Sequence, residues 1–454
     1  MNLPDNWLLT SLDEIAAQEK GAIRRGPFGG SLKKDIFVSQ GYKVYEQQNA
    51  IKNNFDIGNY YIDDKKYKEM IGFNVYPDDL IISCAGTIGR VAIVPHNAQK
   101  GIINQALMRL RLNLSVVVPL YLKLYLESPL AKKEIFDQSV GTALKNLAAV
   151  SEIKKSQIPI PPLNEQRRIV DKLDRIGDRH RTARNELNHI PKLIARYKQA
   201  ILAAACSGKL TEDWRIKHNL ENSWQSTTLG EVIVDKPKNG YSAKPVPYET
   251  PFRVLTLTAT TSGKFNAKHF KYFDESIEIN SQFWLQPNDI LIQRGNTIEY
   301  VGVPAIYDGL PNQFIFPDLM MRLRVKETVI TQFLYFLLSC ENSRQYLRDR
   351  ATGTAGSMPK INQPTLISLP IELPSLEEQK EIVRRVEKMF EKIDRMEEEY
   401  QKATKLCDRL EQATLAKAFR GELVPQDPHD EPASVLLEQI KKEKDKGKKV
   451  KTHK

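Results

Sequence analysis

Cysteine is scarce in this chain: Cys84, Cys206, Cys340 and Cys407 stand far apart in 454 residues, with no CxxC pair among them. That spacing excludes a disulfide framework and a zinc cluster, and the four are read as reduced, packed thiols. Long apolar runs are missing too. Nothing approaches the roughly 18 consecutive apolar residues that span a bilayer, and the start "MNLPDNWLLTSLDEI" has no basic stretch followed by an apolar one. The expectation is a cytoplasmic protein. Catalytic signatures are equally absent: there is no GxxxxGK[ST], no GxGxxG opening a helix and no HExxH. Pro317-Asp318 with Glu378-x-Lys380 has the outline of a scattered nuclease motif, but that last spacing arises in any charged helix. The chain therefore reads as a non-catalytic protein.

What is present is a surplus of positive charge and a repeat. The formal net charge is +11, which favours a polyanionic partner because lysines and arginines facing phosphates release condensed counterions. Part of that surplus is the ending "KKEKDKGKKVKTHK", read as a solvated, flexible tail. The repeat decides the architecture. "IPIPPLNEQRRIVDKL" at 158 returns 213 positions later as "IELPSLEEQKEIVRRV". "YPDDLIISCAGTIG" (76–89) matches "QPNDILIQRGNTIE" (286–299) at an offset of 210, and "ALMRLRL" (106–112) matches "LMMRLRV" (319–325) at 213. Three residues have entered the second copy near Thr297–Gly302, where a loop tolerates insertion.

Each copy has a front part of short β-rich runs with one apparent helix, at 119–136 and at 331–347, and a back part that is helical throughout. In the back parts, Ile169, Leu173, Ile176, His180, Ala183, Leu187, Ile190, Ile194, Tyr197 and Ile201 step by 4 and 3. So do Ile382, Val386, Met389, Ile393, Met396, Tyr400, Ala403, Cys407 and Leu410. A sustained 3.5-residue period predicts a coiled-coil seam, each helix supplying the other's apolar face. About forty residues rise ~60 Å, so the pair is expected to form a spacer between two globular domains. Pro191 is expected to kink or split the first helix. Pro161, Pro162 and Pro374 arrest the preceding strands, Asn164 is placed to cap the first helix, and Ser375 with Glu378 to form a capping box. The fold class is thus α+β: two globular α/β domains, a pair of long antiparallel coiled-coil helices and an internal pseudo-twofold repeat.

The front loops carry chemistry suited to DNA. "IRRGPFGGSLKK" brings Arg24, Arg25, Lys33 and Lys34 together with glycines that permit close backbone approach. "EQQNAIKNN" supplies Gln47, Gln48 and Asn49, amides able to pair with adenine N6 and N7. "LIQRGNT" places Arg294, a natural partner of guanine O6 and N7, near Asn296. Lys145 with Asn146, and Lys360 with Asn362, close the two front domains. The loops of the two copies hardly resemble each other while their scaffolds do, so the domains should bind alike and read different sequences.

"IPIPPLNEQRRIVDKL", "LPSLEEQKEIVRRVEKMF", "AILAAACSGKLTEDWR" and "LAKAFRGELVPQDP" resemble the repeated spacer regions of the specificity subunit of type I restriction-modification systems. "DLIISCAGTIGRVAIV" is similar to a strand-loop-strand segment of that family's target recognition domains. The resemblance implies a first recognition domain over 1–160, a central spacer helix over 161–212, a second recognition domain over 213–373, a distal spacer helix over 374–424 and a charged tail over 425–454. It implies that each domain reads half of a gapped DNA site while the helices set the gap. Two methyltransferase subunits would dock on the chain, and two restriction subunits would join the full complex. The chain would hold no cofactor; S-adenosylmethionine would belong to the methyltransferase partner, ATP and Mg2+ to the restriction partner. Glu165, Gln166, Glu378 and Gln379 match the motif that opens the family's spacer helices, and are therefore the candidate partner-binding residues. The rival reading is a coiled-coil scaffold with no sequence-specific DNA role.

Overall fold

The computed structural model describes residues 3–28, 30–136, 149–220, 224–353 and 358–439. Its contacts divide the chain into two compact units: Met1–Leu187 with Lys402–Lys454, and Asn188–Gln401. Each unit thus combines one globular domain with a half of both long helices. The helical segments do not form a unit of their own, because the domains pack on the helix ends.

In the first unit an antiparallel sheet runs in the order Ile23–Arg25, Leu107–Leu110, Leu80–Ser83, Val91–Ile93. In the second the order is Lys238–Asn239, Met320–Leu323, Ile290–Gln293, Pro304–Ile306. The two central strands of each sheet are buried at every position, which is why they read as continuous apolar runs rather than alternations. The repeated "MRLR" is the exception to apolarity and has a structural cause. Arg111 holds Asp79 through two bonds of 2.8 and 2.7 Å, and Arg324 holds Asp289 through 2.6 and 3.1 Å. Each aspartate also accepts a backbone N–H, from Tyr76 and from Gln286, both at 2.8 Å, and so closes the turn before its strand. Arg109 reaches the carbonyls of Asn74 and Gly21, and Arg322 those of Gln282 and Trp284. These arginines brace the scaffold.

A short ribbon closes each domain on itself. Leu8–Ser11 pairs with Gln157–Ile160, and Gln225–Thr228 with Pro370–Leu373. Prolines then end the second strand and a long helix begins, Leu163–Cys206 in one case and Leu376–Ala418 in the other. The helix expected over 119–136 breaks after Glu127, where Ser128 is extended (ψ 156°) before Pro129. Its counterpart breaks at Cys340 (ψ 150°), between Thr331–Ser339 and Glu341–Asp349.

Within the first unit, Arg168 meets Asp430 at 2.6 Å and Arg184 meets Asp408 at 2.7 Å; within the second, Lys198 meets Glu397 at 2.7 Å and Asp213 meets Arg385 at 2.6 Å. The partner number falls as the first number rises, so the helices run antiparallel. Seam residues are buried where a domain covers them: Ile169 and Leu173 in the first unit, Ile194, Ile201, Ile382, Val386 and Ile393 in the second. Ala183, Tyr197, Met396 and Leu410 are exposed. Two helices alone have no third surface to finish the seam.

Several expectations need correction. Of the kink or split expected at Pro191, the split does not occur, for the first long helix is continuous through it. Asn164 does not cap it; the helix starts one residue earlier, the Pro162 carbonyl accepts from Gln166 N–H at 3.0 Å, and the Asn164 side chain takes Arg167 instead. Ser375 does accept from Glu378 N–H, at 3.3 Å, as the expected capping box requires, while Glu378 Oε1 is taken by Thr211, Arg215 and Trp224. The tail expected to be loose from 425 is packed over 425–439. Gln426 and Asp430 bond to the first helix, and Ala433 and Leu437 enter the same apolar cluster as Trp7. Residues 440–454 lie outside the described residues.

Candidate functional site

In the first unit the turn Asn104–Ala106 gathers the loops. Asn104 N–H donates to the Tyr45 carbonyl at 2.9 Å, which brings Glu46–Gln48 to one side of it. On the other side Gly26 lies so close that a Cβ there would stand 1.9 Å from the Asn104 carbonyl oxygen, so no residue but glycine fits. Arg25 donates to the Gln105 carbonyl at 3.3 Å and lies over the Phe28 ring at 4.9 Å. Lys33, Lys34 and Gln48 are exposed. Arg24, on the opposite face of the strand, packs its guanidinium 4.6 Å from the Phe73 ring and is turned away from this group.

Asn49 is corrected outright. It is buried, its Oδ1 accepts from Glu46 N–H at 2.7 Å, and its Nδ2 donates to the carbonyls of Asn54 and Ile57 at 2.9 and 3.0 Å. Those bonds shape the loop and leave no group for a base. Gln47 differs: its Oε1 is shielded from solvent and has no hydrogen-bond partner among the described residues.

The second unit repeats the arrangement around Pro317–Leu319. Gly240 takes the place of Gly26, a Cβ there falling 2.2 Å from the Phe316 and Pro317 carbonyl oxygens. Arg294 N–H donates to the Leu319 carbonyl at 2.8 Å, Asn296 N–H to that of Pro359 at 3.3 Å, and Ile361 N–H to that of Arg294 at 2.9 Å. Arg294, Asn296 and the exposed Lys360 are thereby brought together. Asn296 also braces its own loop, donating to Gln293 at 2.5 Å and accepting from Thr297 N–H at 2.7 Å. Asn362 is a correction: its Oδ1 accepts from Thr365 N–H at 2.8 Å and caps a short helix. Lys145 and Asn146 lie outside the described residues.

The four candidate docking residues are also corrected, for Glu165, Gln166, Glu378 and Gln379 are all 0% exposed. Each glutamine clasps its own domain. Gln166 accepts from Val118 N–H at 2.8 Å and donates to the carbonyls of Val116 and Pro161 at 2.8 and 3.0 Å. Gln379 does the same with Ile330 N–H at 2.9 Å and the carbonyls of Thr328 and Pro374 at 3.2 and 3.0 Å. Each glutamate clasps the segment that leaves the other long helix. Glu378 accepts from Thr211 at 2.7 Å, Arg215 at 2.6 Å and the Trp224 indole at 3.0 Å. Glu165 accepts from Gln426 at 2.7 Å, and burial holds its carboxyl above the usual glutamate range. The pair is a bolt between helix and domain. "SGKLTEDWR" and the tail after "FRGELV" were the signals that could have pointed to it, since each follows one helix and serves the other.

A surface does exist on the helices. Leu193 and Leu406 are 58% and 56% exposed, and Tyr197 and Leu410 are nearly half exposed. Both pairs are one turn apart and stand at the repeat offset, so each unit shows an equivalent apolar patch.

The model of the type I restriction modification DNA specificity domain matches this chain twice, over residues 29–192 and 221–405. The chain belongs to that family. Among its curated relatives, the EcoKI specificity subunit of Escherichia coli strain K12 is 27% identical over 97% of this chain and 96% of its own length. The StySPI specificity subunit of Salmonella potsdam is 32% identical over 72% of each. Solved structures share the fold. The HsdS subunit from Thermoanaerobacter tengcongensis superposes with a TM-score of 0.57 at 19% identity, over 93% of this chain and 99% of that one. A chain from a study of complex assembly and conformational transition in a type I restriction-modification system gives 0.68 at 19% identity, over 93% and 100%. The two family matches coincide with the two structural copies, so the specificity-domain repeat and the strand-by-strand repeat are one feature. Among the described residues no helix is long and apolar enough to cross a membrane.

Proposed function

We propose that this chain is the non-catalytic, DNA-reading subunit of a type I restriction-modification complex. Loops of the first unit read one half of a gapped duplex site, and loops of the second read the other. The observation that carries this is the identity of the two scaffolds beside the difference of their loops. Both units brace their sheet with the same arginine-aspartate pairs, and both gather loops around a turn approached by an obligatory glycine. The loop side chains are nevertheless unlike: Arg25, Lys33, Lys34, Gln47 and Gln48 in one, Arg294, Asn296 and Lys360 in the other. Arginine and amide side chains discriminate guanine and adenine in the major groove, while lysines add phosphate affinity. The +11 formal charge agrees with this.

Two methyltransferase subunits dock, on this reading, at the equivalent patches Leu193/Tyr197 and Leu406/Leu410. Exposed apolar pairs on a charged helix face suit a partner helix. S-adenosylmethionine serves the methyltransferase partner, and ATP with Mg2+ the restriction partner; this chain supplies the address. The test is genome-wide mapping of N6-methyladenine in cells expressing the methyltransferase with and without this chain. A two-part gapped motif that depends on the chain is the expected result. Methylation unchanged by the chain, with the complex formed, leaves a docking scaffold.

A further inference from the structure

We infer that Phe28 is a specificity-determining residue, meeting the bases of the half-site read by the first unit. The inference rests on the DNA-reading function proposed above. Phe28 is 61% exposed, although the loop that carries it is anchored on both sides. Before it, Gly26 is pressed against the Asn104 carbonyl and Pro27 is buried. After it, Leu32, Ile36 and Phe37 pack against the apolar cluster of Val44, Ile62, Met70 and Ile102. The Phe28 carbonyl accepts from Ser31 Oγ at 2.9 Å, which folds the loop back on itself. The fold had apolar surface at hand and left this ring out.

The surroundings of the ring name its partner. The Arg25 guanidinium lies 4.9 Å from the ring centroid, Lys33 and Lys34 follow in the same loop, and Gln47 and Gln48 stand across the Asn104–Gln105 turn. A hydrophobic ring with a guanidinium beside it, in a loop that also carries two lysines, is poorly matched to a protein's apolar face. It is well matched to duplex DNA, where thymine methyls and the faces of partly unstacked bases are apolar and the backbone is anionic. The second unit supplies the contrast. There Gly240 is followed by Tyr241, whose ring packs 5.2 Å from Phe283 and whose hydroxyl donates to Glu275. Tyr241 follows its glycine by one residue and Phe28 follows its own by two, so the exposed ring of the first loop has no aromatic counterpart at its own place, which is Ser242.

The experiment compares wild type, Phe28→Ala and Phe28→Leu, each in complex with the methyltransferase. Methylated motifs are mapped across the genome, and affinity is measured on cognate and scrambled duplexes. Phe28→Ala is expected to weaken cognate binding roughly ten- to hundred-fold, and to relax the base requirement at one or two positions of one half-site. The other half-site and the melting temperature stay as they were, and Phe28→Leu falls between. An unchanged motif and affinity overturns the inference, as does an equal loss on cognate and scrambled DNA, which would make Phe28 a non-specific contact. A wild-type chain that directs no gapped motif sinks the proposed function itself, whereas a wild-type motif shared by Phe28→Ala sinks this inference alone.

Discussion

Glu165 and Glu378 hold one place in the repeat and meet different chemistry, so they should respond differently to substitution. Glu378 faces the Arg215 guanidinium at 2.6 Å inside the second unit. Glu378→Ala leaves that cation with a buried, unmatched charge and is expected to cost ~3–5 kcal/mol, read by urea unfolding. Glu165 has Gln426 as its donor at 2.7 Å, and its Oε2 is buried with no hydrogen-bond partner among the described residues. Its folded pKa is raised by burial, so the neutral acid is the form the fold prefers. The stability it contributes is complete below the unfolded value, about 4.3, and is lost as pH rises through the raised folded value. Glu165→Gln stays neutral and keeps an acceptor for Gln426. Its melting temperature should gain on wild type as pH rises from 4 to 8, and a pH-independent difference would contradict the assignment. Little of this was legible in sequence. "NEQ" and "EEQ" look like first-turn helix chemistry, and only the folded chain brings Arg215 or Gln426 to them.

At the scale of elements, periodicity was the reliable signal. The 3.5-residue spacing located both long helices and their antiparallel partnership, because burying one apolar face leaves little choice of alternative. The seam was less legible. Tyr197, Met396 and Leu410 fit the period and are exposed, since burial there depends on which domain covers the helix. At Pro191 local rules allow a kink or a split, and the helix does not split, Ile190 packing before it and Ile194 and Ile201 after it. Its missing N–H leaves the Leu187 carbonyl without its helical donor, at the last residue of the first unit. Pro191→Ala restores that bond and should raise stability by up to ~3 kcal/mol, measured by circular dichroism on heating. A destabilised Pro191→Ala would mean that the interruption itself is needed.

For the whole molecule, the repeat makes modular predictions. Replacing residues 1–150 with the corresponding segment of another specificity subunit should change one half of the methylated motif and leave the other; a change in both refutes independent reading. Deleting one heptad from each long helix shortens it by about 10 Å. The gap should contract by roughly three base pairs at 3.4 Å per step, with both half-sequences kept. On the docking proposed above, Leu406→Asp with Leu410→Asp should lower the bound methyltransferase from two copies to one by native mass spectrometry, and adding Leu193→Asp with Tyr197→Asp should remove both. The sequence by itself determined the repeat and the helices, since period and offset are written along the chain, and its resemblance to a known family pointed to the recognition class. Only the tertiary structure decided which polar side chains are free to meet DNA or a partner. Asn49, Asn362, Glu165, Gln166, Glu378 and Gln379 are drawn into the fold by donors and acceptors that can be far away in sequence. A buried hydrogen-bonding group must be satisfied wherever its partner comes from, and sequence distance carries no record of that.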